Sequence, residues 1–132
     1  MFTKDSLIFI VDDDEPYGKL IQIFLERQGF RNVTFFQDEK SCLQNMIKCP
    51  EVLITDYNLN IMSGLKLIEK TRKFCHGIFS ILLSGVYHKE AFSDDLSIGD
   101  IDKYIIKDND ALNELSRTLE SFLIPGYNYQ YY

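Results

Sequence analysis

The sequence lacks the features that mark several common classes of protein. Its apolar runs are far shorter than the ~20 residues that cross a bilayer, and the N-terminal run Leu7–Val11 is too short for the apolar region of a signal peptide. The chain has 14 Lys and Arg against 20 Asp and Glu, a net charge of −6, which argues against binding a nucleic-acid phosphate backbone. We therefore expect a cytoplasmic protein that contacts neither membranes nor nucleic acid directly.

Cysteine and histidine are also scarce. The three cysteines, Cys42, Cys49 and Cys75, are odd in number, and no two of them have the C-x-x-C spacing of a zinc or redox motif. We expect them to be buried or half-buried reduced thiols, as is usual in the cytosol. Because His76 and His88 stand alone, the sequence predicts no histidine-based metal site.

The sequence does contain a regular series of strand-like segments. Its 132 residues and 45% hydrophobic composition suit one globular domain. Five apolar runs of strand length show no polar alternation, which is typical of parallel strands that are covered on both faces. These runs are Leu7–Val11, Val33–Phe36, Val52–Thr55, Ile78–Leu83 and Tyr104–Ile106.

Segments with the period of a helix separate these runs. Apolar residues at three- and four-residue spacing predict helices from Tyr17 to Leu25, Leu65 to Phe74 and Leu112 to Phe122, with weaker helices at Glu39–Lys48 and Lys89–Leu96. Pro16 suits the first turn of the first helix, and Gly29 suits the position after its end. Asp110 is the predicted N-cap of the last helix.

The alternation of strand and helix predicts a three-layer α/β domain with a parallel sheet. Ligands bind such sheets outside the carboxyl ends of the strands. Polar residues follow four of the five runs. The first run is followed by Asp12, Asp13, Asp14 and Glu15, the third by Asp56, the fourth by Ser84 with Gly85, and the fifth by Lys107. Carboxylates that share a pocket repel one another and suit a hard cation such as Mg²⁺, while a lysine and a hydroxyl beside them favour a phosphoryl group.

These residues give the chain a resemblance to the receiver domain of bacterial response regulators, over roughly Ser6 to Leu123. An acidic cluster, an aspartate, a hydroxyl residue and a lysine follow strands one, three, four and five in the family's order. In addition, Gly64 lies eight residues after Asp56. The resemblance implies a doubly wound, flavodoxin-like α/β fold whose five-stranded parallel sheet has the order 2-1-3-4-5.

The resemblance also implies a metal-dependent phosphoacceptor. Asp56 is expected both to be phosphorylated and to bind Mg²⁺. Asp13 is expected to bind Mg²⁺ directly, with Mn²⁺ as an alternative cation. Asp12 would act on the metal largely through water, and the backbone carbonyl of Asn58 would complete the protein's share of the metal shell. Lys107 would bond a phosphoryl oxygen.

Two further residues match the family's switch. Ser84 would move toward the phosphoryl group through its hydroxyl, and Gly85 would leave space for an incoming donor. Tyr104, three residues before the lysine, would turn inward as Ser84 shifts. The face formed by the predicted fourth helix, fifth strand and fifth helix would then change for a protein partner.

The implied function is signalling. The phosphoryl donor would be a histidine kinase or a phosphotransfer protein, the output would be a protein target, and the only catalysis would be phosphorylation and dephosphorylation of Asp56 itself. Residues 1–123 would form the receiver domain and residues 124–132 a tyrosine-rich tail. Two alternatives stay open: a receiver that works as an adaptor without phosphorylation, and a Mg²⁺-dependent phosphatase of the haloacid-dehalogenase type that uses Asp12 and Asp14.

The chain departs from the family pattern at two positions. Asp108 follows Lys107 where the family usually has a proline in a cis peptide, so we expect a trans bond, or a cis bond held by the site. Asp108 is also in a position to draw Lys107 partly away from the pocket. Asn60 stands where the family often has proline, which predicts a looser loop after Asp56.

Several residues near the pocket have a structural interpretation. We interpret Asp14 and Glu15 as acids that favour a helix start, rather than as metal ligands. Tyr17 and Tyr87 are interpreted as packing or rim residues. The tyrosine-rich tail has two interpretations: a disordered end, or a segment that packs on its own domain or on a second subunit.

Overall fold

A computed structural model of the chain describes residues 1–86 and 101–124. Strands and helices alternate along these residues. In order, they are β1 (Ile8–Val11), α1 (Glu15–Arg27), β2 (Val33–Phe36), α2 (Glu39–Gln44), a 3-10 helix (Met46–Lys48), β3 (Val52–Asp56), α3 (Gly64–Arg72), β4 (Phe79–Ser84), β5 (Lys103–Ile106) and α4 (Ala111–Glu120). The predicted helix Lys89–Leu96, Tyr87 and the tail from residue 125 lie outside the described residues.

The five strands form one parallel sheet in the order β2-β1-β3-β4-β5. This confirms the predicted doubly wound α/β fold. The register pairs Val11 with Thr55, Thr55 with Leu82, and Ser84 with Ile106. The residues that follow β1, β3, β4 and β5 therefore emerge together at one edge of the sheet.

Both faces of the sheet are covered by apolar packing. Ile10 and Ile54 belong to one cluster, with residues of α1 and α4, and Phe9 and Leu53 belong to the other, with residues of α2 and α3. Successive strand residues thus enter opposite clusters, as the two-residue period of a strand requires. Because each face is buried, the central strands contain continuous apolar runs, as predicted.

The helices differ from the prediction in their boundaries. The segment Glu39–Lys48 is divided between α2 and the 3-10 helix. Since α3 ends at Arg72, Phe74 lies beyond it and is 62% exposed. Among the described residues, no helix is long and apolar enough to cross a membrane.

Asp110 does not cap α4 as predicted. It directly precedes the helix, but its backbone (φ −100°, ψ 0°) is not extended and its side chain makes no capping hydrogen bond. An N-cap residue normally needs extended backbone for its side chain to reach the first helical N–H groups. The carboxylate instead accepts a hydrogen bond from Arg117 Nη2 at 2.9 Å.

The expectation of three reduced cysteines is wrong. Cys49 and Cys75 form a disulfide, with their Cα atoms 5.8 Å apart, and Cys42 is the free, buried cysteine of the described chain. The spacing of 26 residues matches no motif that would reveal this pairing from the sequence. The fold creates it, because the end of the 3-10 helix lies beside the chain that follows α3.

Gly64 allows α3 to begin directly against the end of β3. A Cβ atom at this position would meet the backbone oxygen of Asp56 and would lie 2.8 Å from Leu82 Cδ1. Real Cβ atoms do not approach other atoms so closely. The backbone of Asp56 cannot move aside as the tip of a flexible side chain can. The glycine eight residues after Asp56 is therefore required by this close approach.

We predict that Gly64→Ala lowers the free energy of unfolding by about 1–3 kcal/mol, because the added methyl group displaces the backbone of Asp56 or the helix. Urea denaturation measures the change. Gly77→Ala is the matched control, since no atom lies within 4 Å of its added Cβ, and it should change stability by less than about 0.5 kcal/mol. Equal effects of the two substitutions would contradict this account of Gly64.

Candidate functional site

Three carboxylates meet at the edge of the sheet. Asp12 and Asp13 follow β1, and Asp56 ends the neighbouring strand β3. One carboxylate oxygen from each residue lies within 4.8 Å of the others. Asp12 is only 1% exposed and Asp56 is 9% exposed, so these two acids are largely removed from water, whereas Asp13 is half-buried. This arrangement brings together the three acids that the sequence predicted as metal ligands through their side chains.

Lys107 reaches into the cluster from the end of β5. Its backbone N–H donates to Ser84 O at 2.7 Å, which aligns the two strand ends. Its Nζ lies 3.1 Å from Asp12 Oδ2 and 3.0 Å from Asp56 Oδ1. The lysine therefore bridges two of the three carboxylates and partly neutralises them.

The pKa values of the site follow from burial and these charges. Burial raises the pKa of Asp12, against the opposing effects of the Asp14 N–H bond and of Lys107. For Lys107, burial alone would lower the pKa, but the hydrogen bond to Asp56 and the charges of Asp12 and Asp56 together raise it. The ammonium group thus stays charged at neutral pH.

Tyr17 completes the surroundings of Lys107. The Nζ atom of Lys107 lies 4.3 Å from the centroid of the Tyr17 ring, within cation–π range. Burial raises the pKa of the Tyr17 hydroxyl. The sequence suggested only a packing or rim role, but its position in the first turn of α1, four residues after Asp13, was the available clue to this contact.

Asp14 and Glu15 lie outside the carboxylate cluster. Asp14 is the N-cap of α1, because its Oδ1 accepts a hydrogen bond from Tyr17 N at 3.3 Å. Its own N–H donates to Asp12 Oδ1 at 2.9 Å and so helps to hold that carboxylate. Glu15 is the first residue of the helix. This geometry agrees with the interpretation of both acids as helix-start residues.

The loop after Asp56 is held by backbone hydrogen bonds to β4 and to the start of α3. Tyr57 N donates to Leu83 O at 2.8 Å, and Gly64 N donates to Tyr57 O at 2.7 Å. Asn58 forms an isolated antiparallel bridge with Ser63. These contacts position the segment that carries the Asn58 carbonyl.

Glu39 anchors the same loop from α2, a role that the sequence did not predict. Its Oε2 accepts hydrogen bonds from Ile61 N at 2.7 Å and from Met62 N at 3.0 Å. The residue is fully buried, and its Oε1 has no hydrogen-bond partner among the described residues. A buried acid at the first position of a short helix carries no sequence motif, so only the fold reveals this role.

Ser84 and Tyr104 are connected through Val86. The buried Ser84 Oγ accepts a hydrogen bond from Val86 N at 3.4 Å, and the Tyr104 hydroxyl donates to Val86 O at 2.8 Å. Gly85 lies between Ser84 and Val86 in the chain, and no atom lies within 4 Å of the position that its Cβ would take. A shift of the chain at Ser84 would therefore act on the hydrogen bond of Tyr104.

Asp108 does not compete for Lys107. Its Oδ1 accepts a hydrogen bond from Asp110 N at 2.9 Å, so the carboxylate is directed toward the start of α4. Throughout residues 1–86 and 101–124 the peptide bonds are trans, and Lys107–Asp108 is among them. The trans bond was one of the two expected geometries, and it leaves Lys107 in the pocket.

Comparison with known proteins identifies this arrangement. The sequence model of the response regulator receiver domain matches residues 8–120. The chain belongs to the response regulator receiver family. Receiver domains are modules of two-component signalling that bind Mg²⁺ at an acidic pocket, and the receiver described here has such a pocket at Asp12, Asp13 and Asp56.

Individual relatives agree with this assignment. The receiver is 29% identical over 114 residues to the uncharacterized transcriptional regulatory protein YbdJ of Bacillus subtilis (strain 168). The matched segment covers 86% of this chain and 49% of YbdJ. The receiver thus spans about half the length of this curated relative.

Solved structures agree in fold. A CheY-like receiver domain protein from Methanospirillum hungatei JF-1 is 25% identical with a TM-score of 0.75, over 89% of this chain and 95% of that one. The response regulator protein TrrA from Thermotoga maritima, solved in complex with Mg²⁺ and BeF, is 24% identical with a TM-score of 0.76. The match covers 89% of this chain and 99% of TrrA.

We predict that Lys107→Met lowers the free energy of unfolding by about 1–3 kcal/mol at pH 7 without added metal, because two buried carboxylates lose their counter-charge. Added Mg²⁺ should restore part of the loss. Since the pKa of Lys107 is raised on folding, its stabilising contribution is present below its usual pKa of 10.5 and is lost as the pH rises through the raised value. Urea denaturation with and without Mg²⁺ measures both effects.

Lys103→Met is the matched control. Lys103 lies on the same strand, and its Nζ pairs with Glu114 at 3.4 Å near the surface. Such exposed pairs contribute little to stability. If Lys103→Met cost as much as Lys107→Met, or if Mg²⁺ failed to stabilise the Lys107 variant, the assigned charge balance would be wrong.

We predict that Glu39→Gln lowers the free energy of unfolding by about 1–2 kcal/mol, because a neutral amide oxygen accepts the two loop N–H bonds less strongly than a carboxylate. Hydrogen exchange at the amides of Ile61 and Met62 should become faster, as measured by NMR. Glu26→Gln, at an exposed position of α1, is the control. Unchanged exchange at both amides would contradict the anchoring role of Glu39.

Proposed function

We propose that this receiver accepts a phosphoryl group on Asp56 from a histidine kinase or phosphotransfer protein and signals to a protein target in the cytoplasm. The observation that carries the proposal is the position of Lys107 Nζ, which lies 3.1 Å from Asp12 and 3.0 Å from Asp56 beside the acidic cluster. An ammonium group there can bond an oxygen of a phosphoryl group on Asp56. The downstream target and any second copy of the chain are proposed partners on family grounds alone.

In the proposed reaction, a carboxylate oxygen of Asp56 attacks the phosphorus of the donor. The bond between phosphorus and the leaving group breaks, and the leaving group takes the electron pair. Little new bonding develops at the transition state, so the site acts mainly by positioning groups and neutralising charge. Lys107 supplies one positive charge, and the Ser84 hydroxyl supplies a hydrogen-bond donor.

The acidic cluster fits the proposed Mg²⁺ ion. Carboxylate oxygens are the hard ligands that this ion prefers, and three of them converge here. With the three acids ionised and Lys107 protonated, the pocket has a net charge of −2, which a divalent cation balances. Asp13 and Asp56 would hold the ion directly, Asp12 would act largely through water, and the backbone carbonyl of Asn58 would complete the protein's share of the ligands. Mn²⁺ could use the same ligands.

Bound Mg²⁺ would supply positive charge for the phosphoryl oxygens. The protein's own residues prepare the pocket: Asp14 holds Asp12 through its backbone N–H, and Glu39 holds the loop that carries Asn58. Tyr17 covers Lys107 on one side. Together these contacts keep the acceptor carboxylate and its neighbours in place before a donor arrives.

The proposed switch uses the connection through Val86. Movement of the Ser84 hydroxyl toward a phosphoryl oxygen would release the Val86 N–H, since that group now donates to Ser84 Oγ. The chain at Val86 could then shift and change the hydrogen bond from Tyr104. Because Tyr104 is half-buried on β5, its reorientation would alter the surface next to that strand.

The two alternative functions have less support. A phosphatase of the haloacid-dehalogenase type would use Asp14 as its acid, but that carboxylate accepts a hydrogen bond from the start of α1. A phosphorylation-independent adaptor would be favoured if Asp108 drew Lys107 out of the pocket, but Asp108 is turned toward Asp110 and leaves Lys107 with Asp12 and Asp56. Both observations favour the phosphoacceptor.

We predict that incubation of the full chain with phosphoramidate and Mg²⁺ adds one phosphoryl group, detected as intact mass after acid quenching. Asp56→Asn should abolish the adduct. Removal of Mg²⁺ with a chelator should slow its formation at least about tenfold, because charge neutralisation in the transition state is lost.

Asp14→Asn is the matched control, since asparagine caps a helix as well as aspartate does, and it should be phosphorylated at nearly the parental rate. An adduct that persists in Asp56→Asn, or no adduct with any small donor, would overturn the proposal. Steady hydrolysis of phosphate esters that is lost in Asp12→Asn but kept in Asp56→Asn would favour the phosphatase instead.

A further inference from the structure

We propose that Cys49 and Cys75 form a reversible redox modification site, which exchanges with anionic low-molecular-weight thiols and disulfides of the glutathione class. The pair joins the end of the 3-10 helix to the chain after α3. It lies near the start of β3, whereas Asp56 ends that strand. The proposed exchange goes beyond phosphoryl transfer, and its chemistry does not require phosphorylation of Asp56.

The two cysteine residues differ in exposure. Cys49 is exposed, whereas Cys75 is only 8% exposed and packs in the apolar cluster that includes Leu67 and Ile78. An incoming thiolate can therefore reach the sulfur of Cys49 more readily than that of Cys75. This difference assigns Cys49 as the attacked sulfur and Cys75 as the leaving one.

The exchange is balanced in two steps. A glutathione thiolate attacks Cys49 Sγ and forms a mixed disulfide, and the Cys49–Cys75 bond breaks with its electron pair on Cys75, which takes a proton from water. A second glutathione thiolate attacks the glutathione sulfur of the mixed disulfide, which releases oxidised glutathione and the Cys49 thiolate. The protein disulfide is reduced by two electrons, and the reverse steps oxidise it.

The fold can accommodate the reduced state. The Met46 carbonyl oxygen lies 3.5 Å from Cys75 Sγ, so the thiol formed on reduction has an acceptor in place. A thiol in an apolar cluster also behaves as a small hydrophobic group. Reduction of Cys75 therefore leaves no polar group without a partner.

The oxidised state holds an unusual backbone. Cys49 has a φ of 46°, and it is the one non-glycine residue in the left-handed region among the residues that the structure describes. Side chains with a Cβ rarely adopt this conformation, and it persists where the surroundings impose it. Residues of this kind are common at sites that change state, which favours a reversible cross-link over a purely structural one.

The charges beside α3 indicate the class of thiol. A cavity of about 400 Å³ is lined by Leu43, Lys66, Lys70, Lys73 and Phe74. Lys73 and Phe74 directly precede Cys75 in the chain. Ammonium groups beside an apolar surface attract an anionic thiol, such as glutathione, more than a neutral one.

The proposed cytoplasmic location supports reversibility. Disulfides in that compartment are usually transient and often sense redox state, because the thiol pool keeps cysteines reduced. Cys42 takes no part in the exchange, since it is fully buried and burial raises its pKa to about 12. It therefore serves as an internal reference thiol.

The test equilibrates the full chain with mixtures of reduced and oxidised glutathione, quenches with acid, and labels all free thiols with a maleimide in denaturant. Intact mass counts one label for the disulfide form and three for the reduced form. We expect the chain to convert reversibly between the two forms as the ratio of reduced to oxidised glutathione is varied without denaturant. The reduced form should melt about 10 °C lower, because the cross-link no longer restricts the unfolded chain.

Two matched pairs test the assigned chemistry. Cys75→Ser should accumulate a glutathione adduct on Cys49 at least about tenfold faster than Cys49→Ser accumulates one on the buried Cys75. The double variant Lys70→Gln, Lys73→Gln should slow exchange with glutathione several-fold but leave exchange with neutral 2-mercaptoethanol unchanged.

Each result decides part of the proposal. One label in every native mixture would show a purely structural cross-link, and three labels even in oxidised glutathione would show that the pair does not form; either overturns the site. Equal adduct rates in the two serine variants would overturn the assignment of Cys49 as the attacked sulfur. An unchanged rate in the lysine variant would overturn the anionic class of thiol. A normal yield of phosphorylated Asp56 in the same samples keeps these results separate from a failure of the proposed function.

Discussion

The structure depends on the balance of charge among carboxylates that are buried at one edge of a sheet. Asp12 is almost fully buried, and burial raises its pKa because the charged form loses water. The Asp14 N–H and the Lys107 ammonium group compensate part of this cost. The remaining negative charge makes the empty pocket unfavourable. The same negative charge allows the pocket to bind a cation.

The rest of the local structure keeps these charges in position. Gly64 lets α3 start against the backbone of Asp56, and Glu39 ties the loop after β3 to α2. Neither residue touches the three-carboxylate cluster. They act on the backbone that carries the acceptor, Gly64 at the start of α3 and Glu39 at the loop after β3.

The sequence predicted the features that depend on local pattern. Apolar runs located the strands, and the polar residues at their ends gave Asp12, Asp13, Asp56 and Lys107 correctly as neighbours, because parallel strands end at one edge. Other contacts join elements distant in the chain. The Glu39 anchor and the Cys49–Cys75 disulfide arise only when α2 and the 3-10 helix pack beside α3, and no spacing rule encodes that packing. The failed cap at Asp110 depends on backbone angles that residue type alone does not set.

The charge balance also limits how phosphorylation could be sensed. Asp56 contributes one negative charge before modification, and a phosphoryl group on it carries about two. With a divalent cation bound, the pocket would be near neutral before the reaction and would gain only about one negative charge after it. In the proposed switch, the modification would be read through hydrogen bonds that change partner, and Val86 is suited to this because its N–H and its carbonyl connect Ser84 to Tyr104.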